Sequence, residues 1–285
     1  MLITAQTRVI GLYGYPLGHT LSPLMHNAVF HNMHLPYVYL PFEICPHNLA
    51  SAVDAIKSLN ILGVNVTIPF KEEVIKYLDD LSAEARACKA VNLIKNEEGK
   101  LIGYNTDGEG FLSSLREEGV NPAGKALLIG AGGAARAVSY ALAKAGVEEI
   151  CFLDLEADRA EKLAAFIEEE TGIKAEAGVM NENFFNEQAA DAGIIVNCSP
   201  AGMYPHIGVS PVENLDSILP EAVVCDIIYN PLKTLFLRKA EANGHKIING
   251  LGMFVHQGAL SLKILTGIDP PVKMMREVVI SHIKE

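Results

Sequence analysis

Ala126-Leu127-Leu128-Ile129-Gly130-Ala131-Gly132-Gly133-Ala134-Ala135 is the stretch that decides the fold of the second half of this chain. Four apolar residues, typical of a buried strand, run directly into a glycine-rich turn, and a helical pattern follows over residues 134–145. Glycines at such a junction allow a tight turn and let backbone N–H groups approach a pyrophosphate at the helix N-terminus. The stretch therefore predicts a dinucleotide-binding loop, with a strand-to-helix turn that binds no ligand as the alternative.

The end of the next strand pattern carries an acid. Residues 149–153 are strand-like, and Asp154 follows where folds of this kind bind ribose hydroxyls. Because Leu155 and Glu156 come next, a phosphate on the ribose 2′ position would meet acid and lack an adjacent arginine. Arg159 is nearby, but it falls on the following helix, where a solvated role is expected. The sequence thus predicts that NAD is favoured over NADP.

Strand and helix patterns alternate outward from this loop in both directions. Before it, we predict strands at 9–13, 37–42 and 63–67, helices at 22–32, 48–59 and 71–81, a hairpin at 90–95 and 101–104, and a connecting helix at 107–118. After it, we predict a helix at 158–170, strands at 194–197, 223–227 and 247–248, and helices at 234–243, 253–265 and 272–283. Strands that alternate with helices indicate an α/β protein with parallel strands.

The bulk composition fits a globular protein that is long enough for two domains. The chain has 285 residues, of which 49% are hydrophobic and 20% are charged. With 23 basic and 34 acidic residues its formal charge is −11, and without a Lys/Arg run it is a poor partner for nucleic acid or an anionic membrane. No segment is apolar enough to span a bilayer and no secretory signal pattern opens the chain, so we expect a cytoplasmic protein.

Cysteine and histidine do not indicate a metal site. The five cysteines are an odd number without a C-x-x-C motif, which predicts neither a disulfide framework nor a thiolate zinc site. The pair His31 and His34 has no acid at a familiar ligand spacing. Surface or helix-end positions are therefore expected for His19, His26, His31 and His34.

Two motifs place reactive side chains in polar, turn-forming sequence. Asn65-Val66-Thr67-Ile68-Pro69-Phe70-Lys71 offers a lysine, and Asn105-Thr106-Asp107-Gly108 offers an aspartate. Lys71 could hold or relay a proton while Asp107 orients it. Two glutamates follow Lys71, so a solvated helix end fits this lysine as well.

Amide and hydroxyl side chains accompany these motifs. Asn65, Thr67, Asn92 and Asn105 lie in or beside apolar, strand-like sequence, and buried polar groups need hydrogen-bond partners. A polyhydroxylated ligand would supply such partners, which favours a small-molecule site in the first half of the chain.

The segment from Gly14 to Pro23 carries the hydroxyls of Thr20 and Ser22 next to a helix start. Hydroxyls and free N–H groups at such a place suit a carboxylate ligand. The alternative is an ordinary capped helix without a ligand. In either case we expect Ser22 as the N-cap and Pro23 at the first helical position.

Taken together, these motifs resemble the shikimate dehydrogenase family nearly from end to end. The pattern G-x-P-x-x-H-[ST]-x-S-P-x-x-H-N stands at 14–27, N-V-T-x-P-x-K at 65–71, A-V-N at 90–92 and N-T-D-G at 105–108. The nucleotide loop, Tyr229-Asn230-Pro231 with Thr234, and Gly250-Leu251-Gly252-Met253 with Gln257 follow in family order.

The resemblance implies reversible reduction of 3-dehydroshikimate to shikimate by a nicotinamide cofactor, a step of aromatic amino-acid biosynthesis. We expect two α/β domains: a substrate domain with a mixed sheet at 1–106 plus 255–285, and a Rossmann-type NAD(P)-binding domain at 107–254. We further expect a small-molecule substrate as the only partner of a monomer or homodimer.

The resemblance also implies a role for individual residues. Lys71 and Asp107 would be catalytic. The substrate would be bound by Thr20, Ser22, Asn65, Thr67, Asn92, Tyr229 and Gln257. The cofactor would be bound by Gly130, Ala131, Gly132, Gly133, Ala134, Asp154, Asn197, Ser199, Gly250 and Met253.

The chain departs from the family pattern at three places. Thr20 stands where serine is usual, and Leu235 replaces a proline after Thr234. Asp154-Leu155-Glu156 replaces the N-R-T that binds the NADP phosphate in the biosynthetic enzymes, whereas NAD-using relatives that also oxidise quinate carry an acid there. An NAD-dependent quinate/shikimate dehydrogenase of quinate catabolism is thus one alternative. A non-catalytic nucleotide-binding sensor is another, although intact Lys71 and Asp107 argue against it.

Overall fold

The computed structural model describes residues 3–18 and 20–283. The chain forms two compact units, the first made of Met1–Thr106 and Val255–His282 and the second mainly of Asp107–Phe254. Within the described residues, no helix has the length and apolar character needed to cross a membrane. That the first unit binds the substrate and the second binds NAD(P) stays a prediction.

Twelve strands and ten helices make up the described part of the chain. The strands are β1 (Arg8–Gly14), β2 (Tyr37–Glu43), β3 (Gly63–Val66), β4 (Asp80–Leu81), β5 (Leu93–Glu97), β6 (Lys100–Tyr104), β7 (Gly124–Ile129), β8 (Val147–Asp154), β9 (Lys174–Val179), β10 (Ile194–Asn197), β11 (Val223–Asp226) and β12 (Lys246–Ile248). The helices are α1 (Ser22–Asn32), α2 (Leu49–Ser58), α3 (Ala83–Cys88), α4 (Asp107–Glu117), α5 (Gly133–Lys144), α6 (Ala157–Thr171), α7 (Glu182–Ala189), α8 (Leu235–Ala242), α9 (Leu251–Thr266) and α10 (Val272–Ile280).

The first unit is built on a six-stranded mixed sheet with the order β2-β1-β3-β5-β6-β4. Strands β2, β1 and β3 run parallel, whereas β5 is antiparallel to both β3 and β6. The β5–β6 pair is the predicted hairpin, and its turn residues Glu98 and Gly99 both have positive φ. The prediction of a mixed sheet in this part of the chain is confirmed.

The predicted helix at 71–81 is wrong. The structure has a short 3₁₀ turn at Glu73–Tyr77, and Asp80 and Leu81 then pair with β6. Leu101 exchanges two hydrogen bonds with Asp79, which align this short strand with the sheet. Sheet pairing with a distant segment has overridden the local helical pattern, as tertiary context commonly does.

The second unit is a six-stranded parallel sheet with the order β12-β11-β10-β7-β8-β9. This is the doubly wound order, in which the strand order reverses between the first and fourth strands of the unit, here β7 and β10. Helices α4, α5 and α6 pack on one face with core residues such as Phe111, Val138 and Phe166. The predicted Rossmann-type fold is confirmed.

Strand β9 and helix α7 were not predicted from the sequence. β9 reads Lys-Ala-Glu-Ala-Gly-Val, a stretch of small and charged residues with weak strand propensity. It nevertheless pairs along its whole length with the buried strand β8, from Lys174 opposite Glu149 to Val179 opposite Asp154. Its structure is dictated by this partner strand, which a local pattern does not reveal.

Candidate active site

Asn65 lies at the centre of a buried polar network in the first unit. Its side-chain nitrogen donates to the carbonyl oxygen of Asn92 at 3.2 Å and to the Ser261 hydroxyl on α9 at 3.0 Å. Its side-chain oxygen accepts a hydrogen bond from the Tyr39 hydroxyl at 3.0 Å. The expectation that this asparagine is buried and hydrogen-bonded is met largely by partners inside the protein.

Asn92 and Thr106 form the second part of the network. The Asn92 side chain accepts from the Thr106 backbone N–H and donates to the Thr106 hydroxyl, each at 2.8 Å. The Asn92 side-chain nitrogen also lies 3.5 Å from Oε1 of Gln257. The structure therefore brings Asn65, Asn92 and Gln257 together, although they are far apart in the chain.

Lys71 and Thr67 follow β3 on a loop that backbone bonds hold against the sheet. The Thr67 N–H donates to Tyr13 at 2.8 Å, and the Lys71 carbonyl oxygen accepts from Val91 at 2.7 Å. The latter bond sets the backbone of Lys71 beside the residue that precedes Asn92. Both side chains remain partly exposed, in contrast to the enclosed network.

Thr20 and Ser22 lie side by side at the start of α1. Their hydroxyl oxygens are 3.2 Å apart, and the Thr20 hydroxyl accepts from the Ser22 backbone N–H. Ser22 is the first helical residue and Leu21 is the N-cap, which makes no side-chain capping bond, so the prediction that Ser22 caps the helix is wrong. The physical reason is that the helix begins one residue earlier, since the Met25 N–H donates to the Leu21 carbonyl oxygen at 3.0 Å.

His26 differs from the surface position expected of it. Its ring is 2% exposed and stacks on Tyr39 with centroids 4.4 Å apart and planes 13° apart. Burial lowers the pKa of His26 to about 3, so the ring is neutral at pH 7. His31 and His34 are exposed as expected, and His19 lies outside the described residues.

Asp107 is the first residue of α4 and is 4% exposed. A carboxylate in the first turn of a helix is stabilised by the helix dipole. The preceding residue, Thr106, is bound to Asn92 by both its N–H and its hydroxyl. This anchors the chain immediately before the candidate catalytic acid.

In the second unit, the glycine-rich loop leads from β7 into α5 with the geometry of an anion site. Gly130 has φ +97°, and a Cβ there would lie 3.0 Å from the backbone nitrogen of Ser199, so only glycine fits without strain. Gly132 is the N-cap of α5, and no side chain among the described residues caps the helix. A helix N-terminus of this kind fits a dinucleotide pyrophosphate.

Asp154 uses both carboxylate oxygens inside the protein. Oδ2 accepts from the Ala131 N–H at 2.7 Å, and Oδ1 accepts from the Glu156 N–H at 3.0 Å. Arg159 is half-exposed, and its Nη2 lies 3.6 Å from the position of a Cβ on Gly132. The arginine on the next helix therefore reaches the glycine-rich loop while its side chain remains half-exposed, as the sequence predicted.

Asn197 and Ser199 follow β10 at the point where the strand order reverses. Asn197 is fully buried, and its side-chain oxygen accepts from the N–H and hydroxyl of Ser199 at 3.0 and 2.7 Å. Its side-chain nitrogen donates to Asp226 at 3.2 Å. Asn197 thus holds the loop that carries Ser199.

Sequence reasoning missed Asp226, the last residue of β11. Its carboxylate is 1% exposed and accepts hydrogen bonds from Asn197, from the Ile228 N–H and from the Thr234 hydroxyl, the last at 2.7 Å. Burial raises the pKa of Asp226 to about 7, although its hydrogen bonds act in the opposite direction. The signal available in the sequence was an acid at the end of an otherwise apolar strand.

Tyr229 and the Gly250 segment complete the candidate residues of the second unit. The Tyr229 ring stacks on Phe254 with centroids 4.0 Å apart. A Cβ at Gly250 would overlap the carbonyl of Ile227, which explains why a glycine stands there. Met253 is buried in the core beside α4 and α5, with 7% of its surface exposed.

The chain is similar to known proteins over its entire length. A shikimate dehydrogenase (NADP(+)) from Syntrophomonas wolfei is 50% identical over 285 residues, covering 100% of this chain and 98% of the relative. A solved shikimate dehydrogenase in complex with NADP+ is 42% identical with a TM-score of 0.92, covering 100% of this chain and 98% of that one. The Listeria monocytogenes shikimate 5-dehydrogenase, solved with shikimate and NAD, is 38% identical with a TM-score of 0.89, covering 97% and 98%.

These relatives show that the predicted preference for NAD is wrong. Curated relatives that are 41% to 50% identical carry the same NADP(+) name. The prediction rested on Asp154 as a free acceptor for ribose hydroxyls, but each of its oxygens already accepts one hydrogen bond, from the N–H of Ala131 or of Glu156, so part of its acceptor capacity is used within the protein. The Arg159 guanidinium is half-exposed, as expected, and pairs with Glu156 at 3.6 Å, but its Nη2 also lies 3.6 Å from the Cβ position of Gly132.

Family models agree with the relatives at both ends of the chain. Residues 12–94 match the shikimate dehydrogenase substrate binding domain, and residues 250–280 match the shikimate 5'-dehydrogenase C-terminal domain. With full-length relatives of up to 50% identity, this chain belongs to the shikimate dehydrogenase family.

Proposed function

We propose that this protein is an oxidoreductase that interconverts shikimate and 3-dehydroshikimate with NADP as its cofactor. The observation that carries the proposal is the buried network in the first unit, which presets Asn65, Asn92 and Gln257 for a ligand rich in hydroxyl groups. A carboxamide oxygen accepts hydrogen bonds from hydroxyl groups, so an array of carboxamides suits a polyol better than an apolar ligand.

Substrate binding is assigned to the first unit and to Tyr229. The neighbouring hydroxyls of Thr20 and Ser22 bind the carboxylate of shikimate, since Ser22 is not used as a helix cap. Asn65, Thr67, Asn92 and Gln257 bind its ring hydroxyls. Tyr229, oriented by its stacking on Phe254, lines the substrate side.

Proton transfer is assigned to Lys71, with Asp107 as its orienting partner. A nicotinamide held at this site would supply the hydride acceptor in oxidation and the hydride donor in reduction. Lys71 accepts the hydroxyl proton in oxidation, directly or through water, and donates a proton to the carbonyl oxygen in reduction.

Cofactor binding is assigned to the loop between β7 and α5. The N–H groups of residues 132–134 bind the pyrophosphate at the start of α5, while Asp154 keeps the loop closed through the Ala131 N–H. Arg159 supplies the positive charge for the 2′-phosphate, because its guanidinium is next to Gly132. Asn197, Ser199, Gly250 and Met253 support the nicotinamide end.

A two-by-two assay tests the proposal: shikimate and quinate, each with NADP and NAD. We expect the highest kcat/KM with shikimate and NADP. Faster turnover of quinate with NAD would establish the catabolic alternative instead. Tight cofactor binding without turnover of either substrate would indicate a nucleotide-binding sensor and refute the proposal.

A further inference from the structure

The side-chain nitrogen of Asn65 has no hydrogen left for a ligand. One hydrogen goes to the Asn92 carbonyl oxygen at 3.2 Å and the other to the Ser261 hydroxyl at 3.0 Å. A backbone carbonyl only accepts, so this contact fixes which end of the amide carries the nitrogen. An amide nitrogen has two hydrogens, and the protein uses both.

The side-chain oxygen of Asn65 keeps one acceptor position. It accepts one hydrogen bond from the Tyr39 hydroxyl at 3.0 Å, and an amide oxygen can accept two. Asn65 is 7% exposed, whereas Tyr39 is 1% exposed and Ser261 is fully enclosed. Asn65 can therefore meet a ligand only as an acceptor, and the two side chains that hold it are shielded from the ligand.

The donor and the acceptor are also fixed in the hydrogen bonds that continue from Ser261 to Thr106. The Thr106 hydroxyl donates to the Gln257 carbonyl oxygen at 3.1 Å, so its single hydrogen is used there. In the 3.1 Å contact between the Thr106 and Ser261 hydroxyls, Ser261 must then be the donor. Ser261 accepts from Asn65 and donates to Thr106, and the chain of bonds ends at a carbonyl that cannot reverse it.

We propose that Tyr39 and Ser261 are positioning residues that lock Asn65 as a hydrogen-bond acceptor toward the substrate. The proposal rests on the function proposed above. The oxygen on the reacting carbon is a hydroxyl in shikimate but a carbonyl in 3-dehydroshikimate, and a carbonyl has no hydrogen to donate. Asn65 is thereby assigned to one of the ring hydroxyls that the reaction leaves unchanged, at C4 or C5.

Analogues of shikimate test this polarity in the wild-type enzyme. Replacing the C4 or C5 hydroxyl by fluorine removes the donor but keeps a small electronegative group, whereas replacing it by hydrogen removes both. Dissociation constants are measured by calorimetry without cofactor, so that effects on the oxidation step play no part. At one of the two positions, we expect the fluoro and deoxy analogues to have equal dissociation constants, each about 10-fold higher than that of shikimate. Fluoro analogues that bind as tightly as shikimate at both positions would overturn the proposal.

Two variants test the positioning residues. Tyr39→Phe and Ser261→Ala should each weaken shikimate binding by about 3- to 10-fold and reduce the discrimination between hydroxyl and fluorine, with kcat changed far less than KM. Tyr13→Phe is the matched control, because Tyr13 is a buried tyrosine of the same sheet that donates to the Ala52 carbonyl, outside the network. Wild-type affinity and discrimination in both test variants would refute the positioning role.

The same experiment separates this proposal from the proposed function. If the wild type oxidises no shikimate with either cofactor, the function is wrong. If it does, but Asn65→Ala binds shikimate and its fluoro analogues like the wild type, the contact between Asn65 and substrate is wrong. Should Ser261→Ala fail to fold, Tyr39→Phe decides alone, since it removes only an oxygen atom.

Discussion

At the scale of the residue, several polar side chains of this protein are already hydrogen-bonded to other groups of the protein. Asn65, Asp154 and Asn197 each use most of their hydrogen-bonding atoms on protein partners. Buried polar groups must be satisfied in this way, since an unpaired one costs about 1–3 kcal/mol. The capacity that remains on each side chain then decides what it can bind.

Lys71→Ala should lower kcat by about 10²–10⁴-fold and change KM little, because general acid–base catalysis is lost while substrate contacts remain. Lys76→Ala is the control, since Lys76 is an exposed lysine of the same loop region that pairs with Glu73 at 2.8 Å. Steady-state kinetics with shikimate measure both variants. A near-normal kcat in Lys71→Ala would remove this lysine from the chemistry.

Arg159→Gln should lower kcat/KM for NADP by about 5- to 20-fold and leave kcat/KM for NAD nearly unchanged. A charged hydrogen bond to phosphate is lost, and partial exposure keeps the effect moderate. Arg116→Gln, which removes an exposed arginine paired with Glu109, should leave both values unchanged. Equal losses with the two cofactors would show that Arg159 does not contact the 2′-phosphate.

Sequence alone identified the buried asparagines but not what holds them. Asn65 and Asn92 were recognisable as amides within apolar strand sequence. Ser261 was not, because it lies 196 positions from Asn65 on a helix whose pattern shows only apolar packing. Tyr39 looked like an ordinary strand aromatic, and nothing local shows that its hydroxyl meets an amide oxygen.

At the scale of the element, the structure departs from the sequence pattern where a distant strand decides the outcome. Strands with strong apolar character were predicted within a few residues, and β10 was predicted with its correct bounds. β4 and β9 were missed because each is defined by its pairing with another strand, β6 or β8, and not by an apolar pattern of its own. Helix starts were predicted less accurately: the N-cap of α1 is Leu21 and not the predicted Ser22.

Ser22→Ala should raise KM for shikimate by about 10-fold or more and leave thermal stability nearly unchanged. A hydrogen bond to a carboxylate is lost, worth about 1.5–3 kcal/mol, but no capping bond of α1 is lost with it. Ser58→Ala at the end of α2 is the control. A lower melting temperature with unchanged shikimate affinity would leave Ser22 with a structural role only.

At the scale of the whole molecule, each unit is a layered α/β structure around its own core. The second unit gathers Asn197, Asp226 and Thr234 at the carboxyl ends of its central strands, where folds of this order bind their ligands. The hydrogen bonds of Asp226 join the segments that follow β10 and β11. The protonation state of this one carboxyl group should therefore affect the stability of the second unit.

Asp226→Asn should make the free energy of unfolding depend less on pH. The folded pKa of about 7 lies above the ordinary 3.8, so between these values the folded protein keeps a proton that the unfolded chain has released. Wild-type stability therefore falls as pH rises through this window, by at most about 1.4 kcal/mol per pH unit, and levels off above it.

Urea unfolding followed by circular dichroism from pH 5 to pH 8 measures this difference. The stability of the variant relative to wild type should increase up to about pH 7 and then stay constant. The opposite contribution of His26, whose pKa is lowered, is common to both proteins and cancels. A difference that does not vary with pH would show that Asp226 is ionised throughout.

The discontinuity of the first unit has a consequence for biosynthesis. A ribosome releases Asn65 and Thr106 long before Ser261, because the whole of Asp107–Phe254 is translated in between. At 5–20 residues per second, the 196 positions that separate Asn65 from Ser261 take roughly 10 to 40 seconds. During that time the Asn65 amide lacks one of the partners that align it, so the nascent first unit carries its binding groups unaligned. Helix α9, most of which is synthesised after the second unit, completes the hydrogen bonds that align Asn65.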